Sequence, residues 1–287
     1  MILNETYTLS NGVRIPKLGL GTWMIEDDVV AKAVKEAVDL GYRHIDTAQA
    51  YQNERGVGEG VRESGVARDE IFVTTKLDAG IKNYDEAKAA IDGSLKVMGL
   101  DHIDLMIIHS PQPWQDFAGD DRFFEGNLAA WKALEEAYEA GKLRAIGVSN
   151  FQKEDLDNLL TNASVKPMLN QILAHVSNTP FELIDYIQSN DMLAEAYSPV
   201  GHGKILDNGD IKSMAAKYGV SIPQLSIRYV LQLGLLPLPK TAKPAHMKNN
   251  ADVDFEISDA DMETLKNIEP IKDYGDASVF PVYGGKM

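Results

Sequence analysis

Residues 29–46 read VVAKAVKEAVDLGYRHID and contain a complete helix-to-strand unit. Apolar residues recur every three or four positions up to Gly41, which is the pattern of an amphipathic helix that ends at a glycine. Residues 43–46 then form a short run that predicts a buried strand. An amphipathic helix that leads directly into a buried strand is typical of α/β proteins with parallel strands.

The same unit repeats along the chain. Further strands are predicted within the segments EIFVTTKL, IDLMIIHS, RAIGVSN, PMLNQIL, MLAEAYSPV and LLPLPK, and helical segments separate them. With a first strand at residues 17–21, the count is eight strands, each followed by helix. Such alternation implies parallel strands joined by right-handed crossovers. The sequence therefore predicts an α/β protein with the (β/α)₈ TIM-barrel fold.

Two additions to the barrel are expected. Asn11-Gly12, between β-like runs, predicts an N-terminal β-hairpin, and residues 244–250 and 258–268 predict extra C-terminal helices. A doubly wound open sheet is the alternative, but no G-x-G-x-x-G follows the first strand. No linker or compositional break divides the chain, so we expect residues 1–287 to form a single barrel domain.

Composition narrows the function classes. The chain has 287 residues, a formal net charge of -15 and no cysteine. An acidic surface repels nucleic acid and favours a monomer, and the absence of cysteine excludes thiolate catalysis. Residues 1–12 do not have the pattern of a signal peptide, and we expect no membrane span, because no apolar run approaches the necessary length. We expect a cytoplasmic protein without membrane or nucleic-acid partners, and the spacing of its histidines predicts no metal site; His44, His102, His175 and His202 are interpreted as structural.

Ionisable side chains close successive predicted strands. Asp46, Lys76 and His109 end the second, third and fourth strands, where a barrel places its catalytic groups. Lys76 is the natural partner of Asp46, because opposite charges offset each other's loss of hydration. Tyr51 follows Asp46 by one short loop. We expect the Lys76 ammonium to lower the pKa of Tyr51 and make it a general acid, with His109 orienting a substrate oxygen.

The later strand ends suit a cofactor. No side chain can carry a hydride, so a reduction at this site needs a cofactor. Tyr197 offers a ring for stacking, Asn150 and Gln171 offer amides for a carboxamide, and Lys240 and Thr241 could neutralise phosphate. A Schiff-base aldolase that uses Lys76 as nucleophile is an alternative, although Asp46 would keep that lysine protonated.

Five segments of the sequence resemble the aldo-keto reductase family. They are GYRHIDTAQAYQNE (41–54), AIDGSLKVMGLDHIDLMIIHSP (90–111), GKLRAIGVSNF (141–151), AYSPVGHGKIL (196–206) and LPKTAKPAHMKNN (238–250). They occur in family order and are most similar to the bacterial 2,5-diketo-D-gluconate reductase-like branch. The resemblance implies an oxidoreductase that reduces aldehydes and ketones, such as small carbonyls, α-keto esters and keto sugars, by hydride transfer from NADPH.

The resemblance also assigns roles to residues. Asp46, Tyr51, Lys76 and His109 would form a catalytic tetrad with Tyr51 as the acid. The cofactor would be held by Ser149, Asn150 and Gln171 at the carboxamide, Tyr197 under the ring, Ser198, Val200, Gly201 and Lys204 along the pyrophosphate, Lys240 and Thr241 at the 2′-phosphate, and Asn250 at the adenine. A cofactor-sensing regulatory subunit is a further alternative, as some family members are, although an intact tetrad argues against it.

Two departures from the family pattern bear on specificity. His246 stands where an arginine usually pairs with the 2′-phosphate, so we expect a weaker preference for NADPH over NADH. Ser110 stands where many members have tryptophan, which predicts a wider, more polar substrate pocket. Trp23, Tyr51 and Trp114 are the candidates for its walls, and Phe280 or Tyr283 is a further candidate.

Overall fold

The computed structural model of the protein describes residues 1–283. Its strands are Thr6–Thr8 (β1), Arg14–Pro16 (β2), Leu20–Gly21 (β3), His44–Asp46 (β4), Phe72–Leu77 (β5), Ile103–Ile108 (β6), Leu143–Ser149 (β7), Leu169–Leu173 (β8), Leu193–Tyr197 (β9) and Leu236–Leu238 (β10). Strands β3 to β10 form one parallel sheet in sequence order.

The sheet closes on itself. A parallel bridge joins Gly21 to Lys240, beyond the end of β10. The amide of Gly21 donates to the carbonyl of Pro239 at 3.1 Å, and the amide of Gly19 donates to Pro237 at 3.2 Å. The first and last strands are thus hydrogen-bonded, and the predicted (β/α)₈ barrel is confirmed.

Helices follow the strands in the predicted order. They are Asp27–Asp39 (α1), Glu54–Arg62 (α2), Tyr84–Met98 (α3), Phe124–Glu139 (α4), Lys153–Asn162 (α5), Phe181–Ser189 (α6), Gly209–Tyr218 (α7), Ile222–Gln232 (α8), Pro244–Ala251 (α9) and Asp259–Lys266 (α10). Sequence signals set their ends: Asn83 caps α3 by accepting from the amide of Glu86, and Ser258 caps α10 by accepting from the amide of Asp261. A glycine with positive φ, Gly99, ends α3.

The predicted hairpin is also present. Strands β1 and β2 pair in antiparallel fashion, and Gly12 in the turn has a φ of +86°, which suits glycine. A cavity between this hairpin and the barrel is lined by Arg43, Phe72 and Arg144, which lie at the beginnings of β4, β5 and β7. The hairpin therefore lies at the end of the barrel opposite to the carboxyl ends of the strands.

The buried side chains inside the barrel change from apolar to polar along the barrel axis. All six residues of β6 are buried, and the apolar ones pack in one large core cluster with the surrounding helices. Towards the carboxyl ends the buried side chains become polar and charged, among them Asp46, Lys76, Gln171 and Glu195. Burying charged groups is costly unless they are paired, so this layer of the barrel marks a candidate site.

Two findings apply to the 283 residues described. None of their helices is long and apolar enough to cross a membrane. Nor do these residues bring three or more His, Cys, Asp or Glu side chains together in a way that could hold a metal ion.

Candidate active site

A cavity of about 800 Å³ opens at the carboxyl ends of the strands. Of the predicted tetrad, Asp46, Tyr51 and His109 line its wall. Lys76 lies behind them and is fully buried. Register explains this grouping: Asp46 pairs with Thr74 on β5, and Lys76 pairs with Ile107 on β6, so the side chains come from adjacent strands at similar heights.

The Lys76 ammonium is the centre of this group. It donates hydrogen bonds to Asp46 Oδ1 at 2.6 Å, to the carbonyl of Thr47 at 2.8 Å and to Tyr51 Oη at 3.2 Å. An ammonium has three hydrogens, so all its donors are used. Because Tyr51 Oη accepts from Lys76, the phenolic hydrogen is left for another acceptor.

Burial and charge act in opposite directions on these groups. Burial alone would lower the pKa of Lys76, but the negative charge of Asp46 and the hydrogen bonds to Asp46 and Tyr51 outweigh it, and the pKa is raised. Burial raises the pKa of Tyr51, and the Lys76 ammonium only partly offsets that rise. Our expectation that Lys76 would bring the Tyr51 pKa below its ordinary value was therefore wrong, because the sequence did not reveal how much hydration the phenol loses on the cavity wall.

His109 completes the wall beside Tyr51. Its ring lies 5.7 Å from the Tyr51 ring, centroid to centroid, at a near-perpendicular angle of 74°. Burial, and then the charge of Lys76, hold its pKa well below the ordinary value, so the imidazole is neutral at neutral pH. Its Nδ1 is buried without a hydrogen-bond partner among residues 1–283.

Ser149 and Asn150, at the carboxyl end of β7, lie on the cavity wall together with Gln171 of β8 and Tyr197 of β9. Asn150 donates to the His109 carbonyl at 3.0 Å and accepts from Tyr197 Oη at 2.7 Å. Ser149 donates to the backbone carbonyl of Gln171 at 2.9 Å. Gln171 donates through Nε2 to Asp46 Oδ2 at 2.9 Å, which links this group to the tetrad.

Only some of the residues predicted to bind the pyrophosphate, which follow β9, line the cavity. Ser198 and Val200 line the cavity, but Gly201 and Lys204 do not. Gly201 is buried against His175. The Lys204 ammonium packs against Gly275 in the C-terminal tail. The position of Lys204 in the sequence did not show that its side chain turns towards the tail.

The same cavity is lined by all four residues predicted for the adenosine side, namely Lys240, Thr241, His246 and Asn250. The Lys240 ammonium forms no salt bridge with any residue between 1 and 283. Partial burial lowers its pKa. An ammonium in such a position is stabilised by an anion.

Aromatic side chains surround the mouth near Tyr51. Trp23 and Trp114 line the cavity as predicted, and Trp114 packs edge-on against His109 with a centroid separation of 5.1 Å. Phe280 packs against Trp23 at 4.9 Å. Ser110 is fully buried and is not among the lining residues. Ser110 is therefore not on the cavity wall, which includes Trp114. That the lack of a tryptophan at position 110 makes the pocket wider and more polar stays a prediction.

Two functional candidates were missed in the sequence. His202, interpreted as structural, lines the cavity and packs edge-on against Trp23 and Tyr283. Glu195 is fully buried beside Gln171. A signal for Glu195 was available: it is the only charged residue in the predicted strand MLAEAYSPV, although alternation alone could not show whether it faces inwards.

Comparisons with known proteins agree on one family. Residues 17–270 match the family described as "Aldo/keto reductase family". The glyoxal reductase of Bacillus subtilis (strain 168) is 42% identical over 265 residues, which are 92% of this chain and 92% of that protein. The 9,11-endoperoxide prostaglandin H2 reductase of Trypanosoma cruzi (strain CL Brener) is 39% identical over 273 residues, with 93% of each chain covered.

A solved structure extends the likeness to three dimensions. The crystal structure of a Bombyx mori aldo-keto reductase in complex with NADP superposes with a TM-score of 0.85 at 32% identity, and the match covers 97% of this chain and 98% of that one.

Proposed function

The chain belongs to the aldo-keto reductase family and is an NAD(P)H-dependent oxidoreductase; on this premise we propose that it reduces small aldehydes and ketones to alcohols with NADPH, and that Tyr51 donates the proton. The observation that carries the proposal is the hydrogen bond of 3.2 Å from the Lys76 ammonium to the Tyr51 phenol, on the wall of the cavity.

The residues present fit the cofactor. Gln171 Oε1 accepts no hydrogen bond from residues 1–283, although its amide lies on the cavity wall, so it is available to a carboxamide. The Lys240 ammonium on the wall of the same cavity suits a phosphate, because no carboxylate among residues 1–283 forms a salt bridge with it. When bound, NADPH supplies the hydride, which no side chain can provide. Ser149, Asn150 and Gln171 would hold its nicotinamide end, and Lys240, Thr241, His246 and Asn250 its adenosine end.

The tetrad supplies the proton. Tyr51 keeps its hydrogen at neutral pH because burial raises its pKa, so it reaches the reaction in the acid form. Its O–H bond is directed away from Lys76, which already donates to the oxygen. As negative charge develops on the substrate oxygen, the proton moves from Tyr51 Oη to that oxygen. The Lys76 ammonium then stabilises the phenolate that remains, and Asp46 holds the ammonium in place.

His109 positions the substrate oxygen. A neutral imidazole has one N–H, and a buried N–H without an acceptor is rarer in proteins than an unsatisfied acceptor. We therefore place the hydrogen on Nε2 and leave the buried Nδ1 as the unpaired acceptor. His109 then donates a hydrogen bond from Nε2 to the carbonyl oxygen and polarises it before the hydride arrives.

The walls near Tyr51 favour compact, uncharged substrates. Trp23, Met24, Trp114 and Phe280 give this end of the cavity aromatic and aliphatic surfaces. We propose small carbonyls, α-keto esters and keto sugars as the substrate class, in keeping with the glyoxal reductase named among the relatives.

The aldolase alternative loses support from the same geometry. A Schiff-base lysine must be deprotonated to attack a carbonyl. The Lys76 pKa is raised by Asp46, and its three hydrogens are all donated. Lys76 is therefore held as an ammonium.

A screen of NADPH oxidation tests the proposal. The purified protein is assayed with methylglyoxal, an α-keto ester and a keto sugar, first with NADPH and then with NADH. We expect turnover of at least one carbonyl with NADPH. Saturable binding of NADPH without turnover across the panel would instead support the cofactor-sensing alternative.

Three expectations from the sequence accompany this proposal. We infer a single domain, a monomer and a cytoplasmic location, supported by the formal net charge of -15 and the continuous βα pattern. Sedimentation at micromolar concentration tests the monomer, and one cooperative transition in urea tests the single domain.

A further inference from the structure

Glu195 is a buried carboxyl that the reaction described above does not use. It lies in the middle of β9 and is fully buried inside the barrel. Its backbone is in register with Gln171 on β8. A carboxyl group in the interior needs a compensating role or partner, because removing it from water is costly.

The side chain of Gln171 connects Glu195 to the tetrad. Gln171 Nε2 donates to Glu195 Oε2 at 2.7 Å and to Asp46 Oδ2 at 2.9 Å. An amide nitrogen has two hydrogens, so both are used. The amide oxygen is thereby directed away from both carboxyl groups, and Gln171 lines the cavity.

The charges around Glu195 leave it without a cation. From β4, Asp46 and His44 face it, and from β5 Lys76 does. Strand β10, its other neighbour, carries no titratable residue. Lys76 is paired with Asp46. His44 Nε2 is 3.8 Å from Glu195 Oε1, but burial, and then the charge of Lys76, lower the His44 pKa to about 3, so it is neutral.

One ammonium therefore faces two carboxyl groups. Two buried anions beside a single cation would repel each other, so one carboxyl retains its proton. Burial, and then the charge of Asp46, raise the pKa of Glu195 to about 8. The proton is thus on Glu195, the carboxyl that does not contact Lys76.

We propose that Glu195 is a positioning residue for the nicotinamide end of the cofactor: as a neutral carboxylic acid it accepts the second N–H of Gln171 and fixes the amide oxygen of Gln171 towards the cavity. This inference rests on the proposed function. The reverse orientation of the Gln171 amide would place its oxygen against the Asp46 carboxylate, so Asp46 and Glu195 define the orientation from two sides. A neutral Glu195 does so without adding a second negative charge beside Asp46.

Binding measurements test the positioning role. Two variants, Glu195→Gln and Glu195→Leu, are titrated with NADP⁺ and with adenosine 2′,5′-bisphosphate, which lacks the nicotinamide. Glu195→Gln keeps an acceptor for Gln171, so we expect wild-type affinity for both ligands. Glu195→Leu removes the acceptor, so we expect NADP⁺ to bind roughly fivefold to tenfold more weakly, with the affinity for the bisphosphate unchanged.

Other outcomes contradict the proposal. Equal NADP⁺ affinity in Glu195→Leu and the wild type overturns it, and so does an equal loss for both ligands, which would indicate general disruption. Failure of the wild type to bind NADP⁺ would instead overturn the proposed function. Glu182→Gln, on the exposed first turn of α6, is the matched control.

Infrared spectroscopy tests whether the Glu195 carboxyl is protonated. The measurement needs no ligand, and its first result comes from the wild-type protein. At pH 6.5 the wild type should show a protonated carboxylic acid C=O band, which disappears as the pH is raised through about 8. The Glu195→Gln variant should lack this band, and Glu182→Gln should keep it. Absence of the band from the wild type at pH 6.5 would contradict the assignment of the proton to Glu195.

Discussion

The Lys76 ammonium donates a hydrogen bond to the phenolic oxygen of Tyr51 at 3.2 Å; Lys76 is fully buried, and Tyr51 is half-buried on the cavity wall. In this arrangement the phenol keeps its proton in the resting state, and the cation stabilises the phenolate only when one forms. The ammonium therefore contributes more after proton transfer than before it, which is what catalysis requires.

Replacing Lys76 separates its catalytic and structural roles. In Lys76→Met the Asp46 carboxylate is buried without its cation, and we expect a loss of about 3–5 kcal/mol in the free energy of unfolding together with loss of turnover. The double variant Asp46→Asn/Lys76→Met removes both charges and should recover most of the stability but none of the activity. Urea unfolding and steady-state assays measure the two effects. Recovery of activity in the double variant would contradict the role given to Lys76.

Glu195 should make stability depend on pH. Its pKa is raised to about 8 in the folded protein, mainly by burial, from an ordinary value of 4.5. The folded state binds the proton more tightly, so this stabilisation is complete below about pH 4.5 and is lost as the pH rises to about 8. Within that window the loss is about 1.4 kcal/mol per pH unit.

The Glu195→Gln variant isolates the contribution of Glu195 to the pH dependence of stability. Its free energy of unfolding minus that of the wild type should increase from pH 5 to pH 8 and level off above. A difference that stays constant across this range would show that Glu195 does not titrate as described.

His246 should limit the preference for NADPH. It lines the cavity with Lys240 and is solvent-exposed. A permanently charged guanidinium there should favour the 2′-phosphate by about 1 kcal/mol, or roughly fivefold. We expect His246→Arg to raise the ratio of kcat/KM for NADPH over NADH by that factor. Ala245→Arg, exposed on the same helix, adds the same charge beside the site and should change the ratio less; equal changes would argue for a general charge effect.

Trp114 should act on the substrate and not on the cofactor. Its ring packs on His109 on the cavity wall. We expect Trp114→Ala to raise the KM for the carbonyl by about tenfold through lost apolar contact, with the Kd for NADPH unchanged. Trp114→Phe keeps an aromatic side chain on the wall, so its KM for the carbonyl should lie between those of the wild type and Trp114→Ala. A change in the Kd for NADPH alone would contradict this placement.

The sequence was informative where ionisable residues stand at the ends of successive predicted strands. Asp46, Lys76 and His109 could be grouped because the ends of parallel strands meet at one end of a barrel. The structure brings them and Tyr51 together, while the catalytic roles stay predictions until they are measured. Lys240 and His246, which follow the last strand, line the same cavity, while their contact with the adenosine end of the cofactor stays a prediction.

Properties that depend on burial could not be read from the sequence. The pKa of Tyr51 was expected to fall but is raised, since desolvation outweighs the Lys76 charge. Ser110 was expected on the pocket wall but is fully buried and is not among the residues that line the cavity. Glu195 was missed because a single charged residue in a strand can face either way until the register is known. The tail residues after 283, included in the single-domain expectation, lie outside the described part of the chain.

The most direct test of the account removes one oxygen atom. Tyr51→Phe deletes the proposed proton donor and keeps the ring that packs against His109. With a carbonyl that the wild type reduces, we predict a fall in kcat of about 10²–10⁴-fold, with NADPH binding unchanged when titrated by fluorescence. Turnover by Tyr51→Phe at a rate close to that of the wild type would show that the proton comes from another group and would contradict the mechanism.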